Sequence, residues 1–322
     1  MKPGRRTRIL LAALGVLAAG CSDPPPEPDP TPSAELAAVV ASYDLAADRP
    51  QRVMVGLPVA DGRTLSFGTV DLAFTYTGTE QDQASPLREP GPRAEAAFLA
   101  VPGTEPAGPQ AGPALTTASQ ARGVYAARDV DFAGRAGFWE VLVTAEVHDV
   151  GTLTATTTFV VGASPQRPAP GDRALRTKNH LPGAPDIDLT SIDSAALEGA
   201  LPDPHLHTTT IAAAIAAKRP ALVIFSTPVW CVSKFCGPVT DVVAGLALAH
   251  EGEAEFIHVE IWKDFQGRVL NRAAADWVGD PTQGEELTEP WLFLIGANGR
   301  ILERWDNLFD LDEVEAALRD AA

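Results

Sequence analysis

A fully apolar pentapeptide, Ala221-Leu222-Val223-Ile224-Phe225, runs through a short loop into two cysteines, Cys231 and Cys236, and then into an apolar helix reaching Ala249. A strand with no polar alternation has no face to give to water, so other elements must cover it on both sides; that is the pattern of a central strand in an α/β layer. The preceding stretch, Thr208 to Lys218, reads as a helix with a hydroxyl-rich start that Pro220 cannot continue. Pro238 suits a first helical position, which places Cys236 beside the helix start and Cys231 upstream of it. On one continuous helix, residues five apart lie about 140° off a common face, so a disulfide requires one cysteine to sit in the loop. A thiol at a helix N-terminus meets free amide donors and a positive partial charge, which hold it partly as thiolate, below the free value of about 8.5.

The chain opens with Lys2, Arg5, Arg6 and Arg8, followed by an apolar run from Ile9 to Ala19 that ends in Leu17-Ala18-Ala19-Gly20-Cys21. The run is about a dozen residues, short of the roughly 20 that cross a bilayer as a helix, and reads as a signal peptide. Small residues directly before a cysteine resemble the lipobox of bacterial lipoproteins. That resemblance implies a signal peptide over 1–20, a lipid on Cys21, and an extracytoplasmic protein anchored to the cell membrane or outer membrane, in the periplasm or at the cell surface. Pro24 to Pro32 holds six prolines and no hydrophobic periodicity, so 21–34 is expected to be an extended tether. Removing the four leader cations takes the formal charge from −17 to −21, which disfavours nucleic acid as a partner and leaves membrane attachment to the lipid. With Cys21 assigned to the lipid, Cys231 and Cys236 remain as an even pair in an oxidising compartment.

Two domains suit the remaining length. Leu36 to Leu45 is expected to form a short helix or an opening strand. Val70, Leu72, Phe74 and Tyr76 alternate with polar or small neighbours; so do Trp139, Val141, Val143, Ala145 and Val147, and then Ala155, Thr157, Phe159 and Val161. This period of two, with shorter strands at 52–57, 96–101 and 125–132 and turns at Asp61-Gly62, Pro102-Gly103 and Ala136-Gly137, predicts an all-β sandwich over 35–163. The run from Gly123 to Val147 is similar to immunoglobulin-like periplasmic domains, which implies the fold alone. Residues 80–120, apart from 96–101, are expected to be long loops. Five prolines between 165 and 185 mark 164–204 as a linker.

Beyond the linker, Glu255 to Ile261, Leu292 to Ile295 and Ile301 to Trp305 read as strands, and Leu311 to Arg319 as a helix. Residues 205–322 resemble a thioredoxin-like domain, with an aromatic-Cys motif after the first central strand and the Pro-initiated strand Thr288-Glu289-Pro290-Trp291 opposite it. The resemblance implies that Pro290 is cis and faces the cysteines and that Glu289 lines the same edge; Trp230 and Trp291 are expected either to flank the site as aromatic surface for a peptide or to pack in the core. The spacing departs from the family: four residues separate the cysteines, and Cys236-Gly237-Pro238-Val239 echoes Cys-Gly-Pro-Cys with valine in the last place. Two alignments therefore compete, and the attacking thiol stays undecided. The family's buried carboxylate on the strand before the motif is replaced by Ile224 or Phe225, so proton transfer needs another base. The resemblance implies thiol–disulfide exchange with an exported client through Cys231, Cys236 and Pro290, with no cofactor and no resident metal. Two other readings stand beside it. In one, the disulfide is a staple in a non-enzymatic binding module; in the other, the cysteines and a distant histidine hold copper, as copper chaperones of this fold do. His258 is expected to be a core or sheet-face histidine, His205 and His207 local hydrogen-bonders, and Lys234 a solvated loop residue.

Overall fold

The computed structural model describes residues 35–106, 108, 110–196, 199–231 and 233–321. The signal peptide, Cys21 and the tether lie outside these residues. The described residues from 35 onward form one compact unit, and no helix among them is long and apolar enough to cross a membrane.

The first half is all β. It runs β1 (Val39–Val40), β2 (Gln51–Gly56), β3 (Thr64–Ser66), β4 (Thr69–Gly78), β5 (Glu89–Ala100), β6 (Ala114–Thr116), β7 (Gly123–Val130), β8 (Gly137–Val147) and β9 (Gly151–Val161). Seven strands hydrogen-bond into one sheet in the order β1-β2-β7-β5-β4-β8-β9, and β3 and β6 pair as a ribbon. Laid flat at about 4.8 Å per strand, β1 and β9 would stand about 29 Å apart. Instead they touch, and Gly162 just past β9 exchanges backbone hydrogen bonds with Leu45 and Ala47 at 2.8 and 2.9 Å. The two layers of the expected sandwich are thus halves of one rolled sheet. Its interior holds the alternating residues anticipated on β4 and β8, together with Val53 and Val55 from β2 and Tyr125 and Ala127 from β7.

Leu36 to Leu45 contributes strand β1, the strand alternative of the two expected. One stretch departs from expectation: the strand expected at 96–101 reaches back to Glu89 as the twelve-residue β5, into residues expected to be loop. Prolines at 90 and 92 hide the first half of β5 in the sequence, because proline cannot donate to a ladder. They are tolerated because β5 pairs with β7 only over Ala97 to Ala100; at Pro90 its one neighbour is β4.

The second half comprises α1 (Ile211–Ala216), β10 (Ala221–Ser226), α2 (Cys236–Ala249), β11 (Glu255–Glu260), β12 (Trp262–Asp264), β13 (Val269–Leu270), α3 (Arg272–Val278), β14 (Trp291–Ile295), β15 (Ile301–Asp306) and α4 (Leu311–Ala321). A four-stranded sheet runs β11-β10-β14-β15, with β10 parallel to β11 and antiparallel to β14. Every residue of β10 is buried. Val223, Phe225 and Phe293 pack with Ile211 and Ile215 of α1 and Trp277 of α3. On the opposite face, Leu222, Ile224, Leu292 and Leu294 share a core with Val239 and Val243 of α2 and Val314 and Leu318 of α4.

That second core also contains Met54 of β2, Val101 just past β5, and Val124 of β7. The outer face of the rolled sheet therefore completes the packing around the four-stranded sheet, and the two halves are not independent. Polar contacts follow the same seam: Tyr43 N donates to Asp306 at 2.6 Å, Arg304 pairs with Asp44 at 2.8 Å, and Asn307 donates to the Ala41 carbonyl at 3.1 Å. The described residues of 163–210 pack along this body and bury Arg167, Asn179, Ser191, Asp193 and Ser194. Met54→Ala should cost about 2–5 kcal/mol and lower the melting temperature of the whole unit in one cooperative transition. Two separately moving transitions in a calorimetric scan would contradict the shared core.

Candidate functional site

The loop between β10 and α2 is pinned at both ends. Ser226, the last residue of β10, donates its hydroxyl to Thr240 Oγ1 at 2.7 Å, and Thr240 donates its own to the Cys236 carbonyl at 2.7 Å. Helix α2 begins at Cys236 itself, two residues earlier than Pro238 suggests. Pro238 is accommodated in the first turn because the amides there have no intrahelical partner. The first helical bond runs from Val239 N to Phe235 O at 3.0 Å.

Cys231, in the loop, and Cys236, at the helix start, form a disulfide with a Cα–Cα separation of 6.0 Å, inside the range that a bridge spans without backbone movement. Cys236 is fully buried, whereas Cys231 keeps 8% of its surface and sits 3.2 Å from the Ser233 hydroxyl. Lys234 is exposed, with a left-handed backbone at φ 61°.

The Glu289 carboxylate converges on this pair: one of its oxygens and the two sulfurs lie within 4.8 Å of one another. Its Oε2 is buried without a hydrogen-bond partner among the described residues. Burial, reinforced by the neighbouring Glu260 carboxylate, pushes the Glu289 carboxyl up to about 8. Glu260, at the end of β11, is itself raised by burial and accepts from Ser194 N at 2.8 Å. The Tyr43 hydroxyl donates to the Glu289 carbonyl at 2.6 Å and anchors the residue from the rolled sheet. The Glu289–Pro290 bond is cis, and Pro290 is buried at the start of β14.

The two expected aromatic flanks have different positions. Trp291 is 2% exposed, stacked on Phe293, with its indole N–H donated to Thr288 at 2.9 Å. It therefore supports the site from inside and offers little surface to a peptide. Trp230 is half-buried and stacks on Phe265 with ring centres 4.9 Å apart; Trp262 meets the same ring edge-on. With the exposed Val229, these rings make an apolar patch beside the disulfide. Trp262 and Phe265 are missed in the sequence because they flank an irregular hairpin far along the chain.

Two side-chain groups bring donor atoms close enough to share an ion: Cys231, Cys236 and Glu289, and the buried Asp193, His207 and His258. In the first, the sulfurs are bonded to each other, and a disulfide is not a thiolate ligand set. His258 joins the second group and not the cysteines. Neither His205 nor His207 is the local hydrogen-bonder expected: His205 Nε2 lies 3.2 Å from the Ala244 carbonyl, 39 residues along on α2, and His207 is buried with neither ring nitrogen hydrogen-bonded among the described residues. No family model, no curated protein and no solved structure matches this chain.

The disulfide, the buried carboxylate and the apolar patch together allow nucleophilic attack at sulfur with a proton donor and acceptor at hand. The raised carboxyl also has a stability consequence. The folded protein keeps the Glu289 proton while the unfolded chain, near its ordinary value of 4.5, has lost it. Its contribution is therefore fully present below about 4.5 and lost as pH rises through about 8. Urea midpoints measured at pH 5 and pH 8 with the disulfide intact should fall more for the wild type than for Glu289→Gln. Equal falls would show that Glu289 is ionised throughout.

Proposed function

We propose that this chain is a lipid-anchored extracytoplasmic protein that exchanges disulfides with an exported client. The observation that carries the reading is the Cys231–Cys236 bond at the mouth of a strand-to-helix loop with Glu289 beside it. The mixed four-stranded sheet with helices on both faces supports a thioredoxin-like reading of 205–322. Membrane attachment rests on the leader and Cys21 in the sequence.

A client thiolate attacks Sγ of Cys231, the more exposed sulfur; a mixed disulfide forms, the internal bond breaks, and the thiolate of Cys236 takes a proton from protonated Glu289. In the second step Glu289 removes the proton from Cys236, whose thiolate attacks Cys231 Sγ of the mixed disulfide and expels the client thiolate. Attack at Cys231 regenerates the internal bond and releases the client unchanged; attack by the client's second thiol on its own bridged sulfur releases an oxidised client and leaves two thiols here. The reverse sequence reduces a client disulfide. A carboxyl near 8 populates both protonation states around neutral pH, so it serves as donor and acceptor in turn. The apolar surface of Val229, Trp230 and Phe265 gives an extended peptide a place to lie against the disulfide.

The reading is tested by trapping. Cys236→Ser leaves Cys231 without its resolving partner and should accumulate client adducts that disappear on reduction, whereas Cys231→Ser should capture far less. Glu289→Gln should slow exchange by about 10²-fold and remove the inflection near pH 8 from its rate profile. Adducts from neither variant would leave a structural staple as the role of the bridge.

A further inference from the structure

Asp193, His207 and His258 come from three separate segments and meet in the interior. Asp193 follows the turn over 189–191, His207 ends the turn over 204–207, and His258 lies in β11. Their relative exposures are 1%, 3% and 1%. Asp193 Oδ2 stands 3.5 Å from His207 Nε2 and 3.4 Å from His258 Nδ1. Those separations are long for a charged hydrogen bond, which closes to about 2.7–2.9 Å. The orientation agrees: both ring nitrogens of His207 and Nδ1 of His258 are buried without a hydrogen-bond partner. Orphaned polar atoms at such depth cost about 1–3 kcal/mol each, so they call for an explanation.

We propose that these three side chains bind one divalent transition-metal ion, Zn2+ foremost, which clamps the 163–210 segment to β11 beneath the cysteine loop. A tetrahedral zinc with bonds of about 2.0–2.1 Å places its ligand atoms about 3.3–3.4 Å apart, the spacing of Oδ2 to each nitrogen here. The outer contacts fit as well. His258 Nε2 donates to the Ser226 carbonyl at 3.2 Å, fixing the tautomer that turns Nδ1 inward. Asp193 Oδ1 accepts from Ala195 N at 2.8 Å, which leaves Oδ2 free to ligate. Two imidazoles and a carboxylate suit zinc better than a soft monovalent ion, and zinc is redox-inert beside a disulfide. The fourth coordination position falls to water.

The clamp sits directly under the exchange loop. Ser194, next to Asp193, accepts a hydrogen bond from Val229 N at 3.1 Å and meets Thr227 Oγ1 at 3.4 Å. Ser226, which holds His258, is the last residue before that loop. The ion thus ties the seat of the loop to the sheet, whatever chemistry the cysteines perform.

The test uses the full chain, stripped with a chelator, dialysed and titrated with zinc chloride, with bound metal measured by mass spectrometry. One zinc per chain and a rise in melting temperature of about 5 °C or more are expected. Co2+ in its place should give the visible absorption of a tetrahedral nitrogen/oxygen site with no sulfur charge-transfer band. Asp193→Asn and His207→Gln, near-isosteric changes that limit the risk of misfolding, should each lower occupancy at least tenfold. The double variant Cys231→Ser/Cys236→Ser should keep its zinc, which separates this site from any binding by reduced cysteines and from the exchange reading itself. No zinc retained at saturation, with an unchanged melting temperature, would overturn the proposal and leave a buried Asp–His network. Zinc retained in both near-isosteric variants would overturn it equally.

Discussion

The whole arrangement depends on burying β10 on both faces. Its six residues have no contact with water, so helices α1 and α3 must cover one side and α2, α4 and part of the rolled sheet the other. Met54 and Val124 are the contribution of the rolled sheet, and their burial on the far side of strands whose alternate residues face inward makes the two halves one cooperative object. Once β10 is fixed, the position of Ser226 is fixed, and with it the start of the cysteine loop. The Ser226–Thr240–Cys236 relay then fixes where the loop ends.

Much of this is legible in the sequence because it depends on local pattern. The apolar run at 221–225, the alternation on β4 and β8, and the strand ahead of an apolar helix all follow from periodicity. The first half of strand β5 is hidden because prolines at 90 and 92 read as loop, and only the local absence of a second neighbour makes them compatible with a ladder. The rolling of the sheet and its packing against α2 and α4 are contacts between distant segments that no window reveals. At the site, the disulfide pair and the position of Glu289 beside Pro290 are visible in the chain. The proton-handling character of Glu289 is not, because it comes from burial and from Glu260, which approaches from β11. The Asp193–His207–His258 group is hidden for the same reason: each residue has a bland local explanation, and only the fold brings them together.

Two buried carboxyls near one disulfide set the electrostatic tone of the site. Glu260 and Glu289 each resist ionisation because water is excluded, and the Glu260 carboxylate makes ionisation of Glu289 harder still. Glu289 reaches the disulfide from the segment just before β14, and Glu260 stands at the end of β11. The half-buried Trp230, next to Cys231, stacks on the exposed Phe265, so apolar surface and a raised carboxyl both adjoin the bridge.

The central claim is that the Cys231–Cys236 bond is made to be opened and remade. Its reduction potential, measured by equilibrating the purified chain in glutathione buffers and counting free thiols, tests this most directly. Exchange predicts a potential well above about −300 mV, among those of thiol oxidoreductases; a value below that would mark a bridge that only holds the loop together.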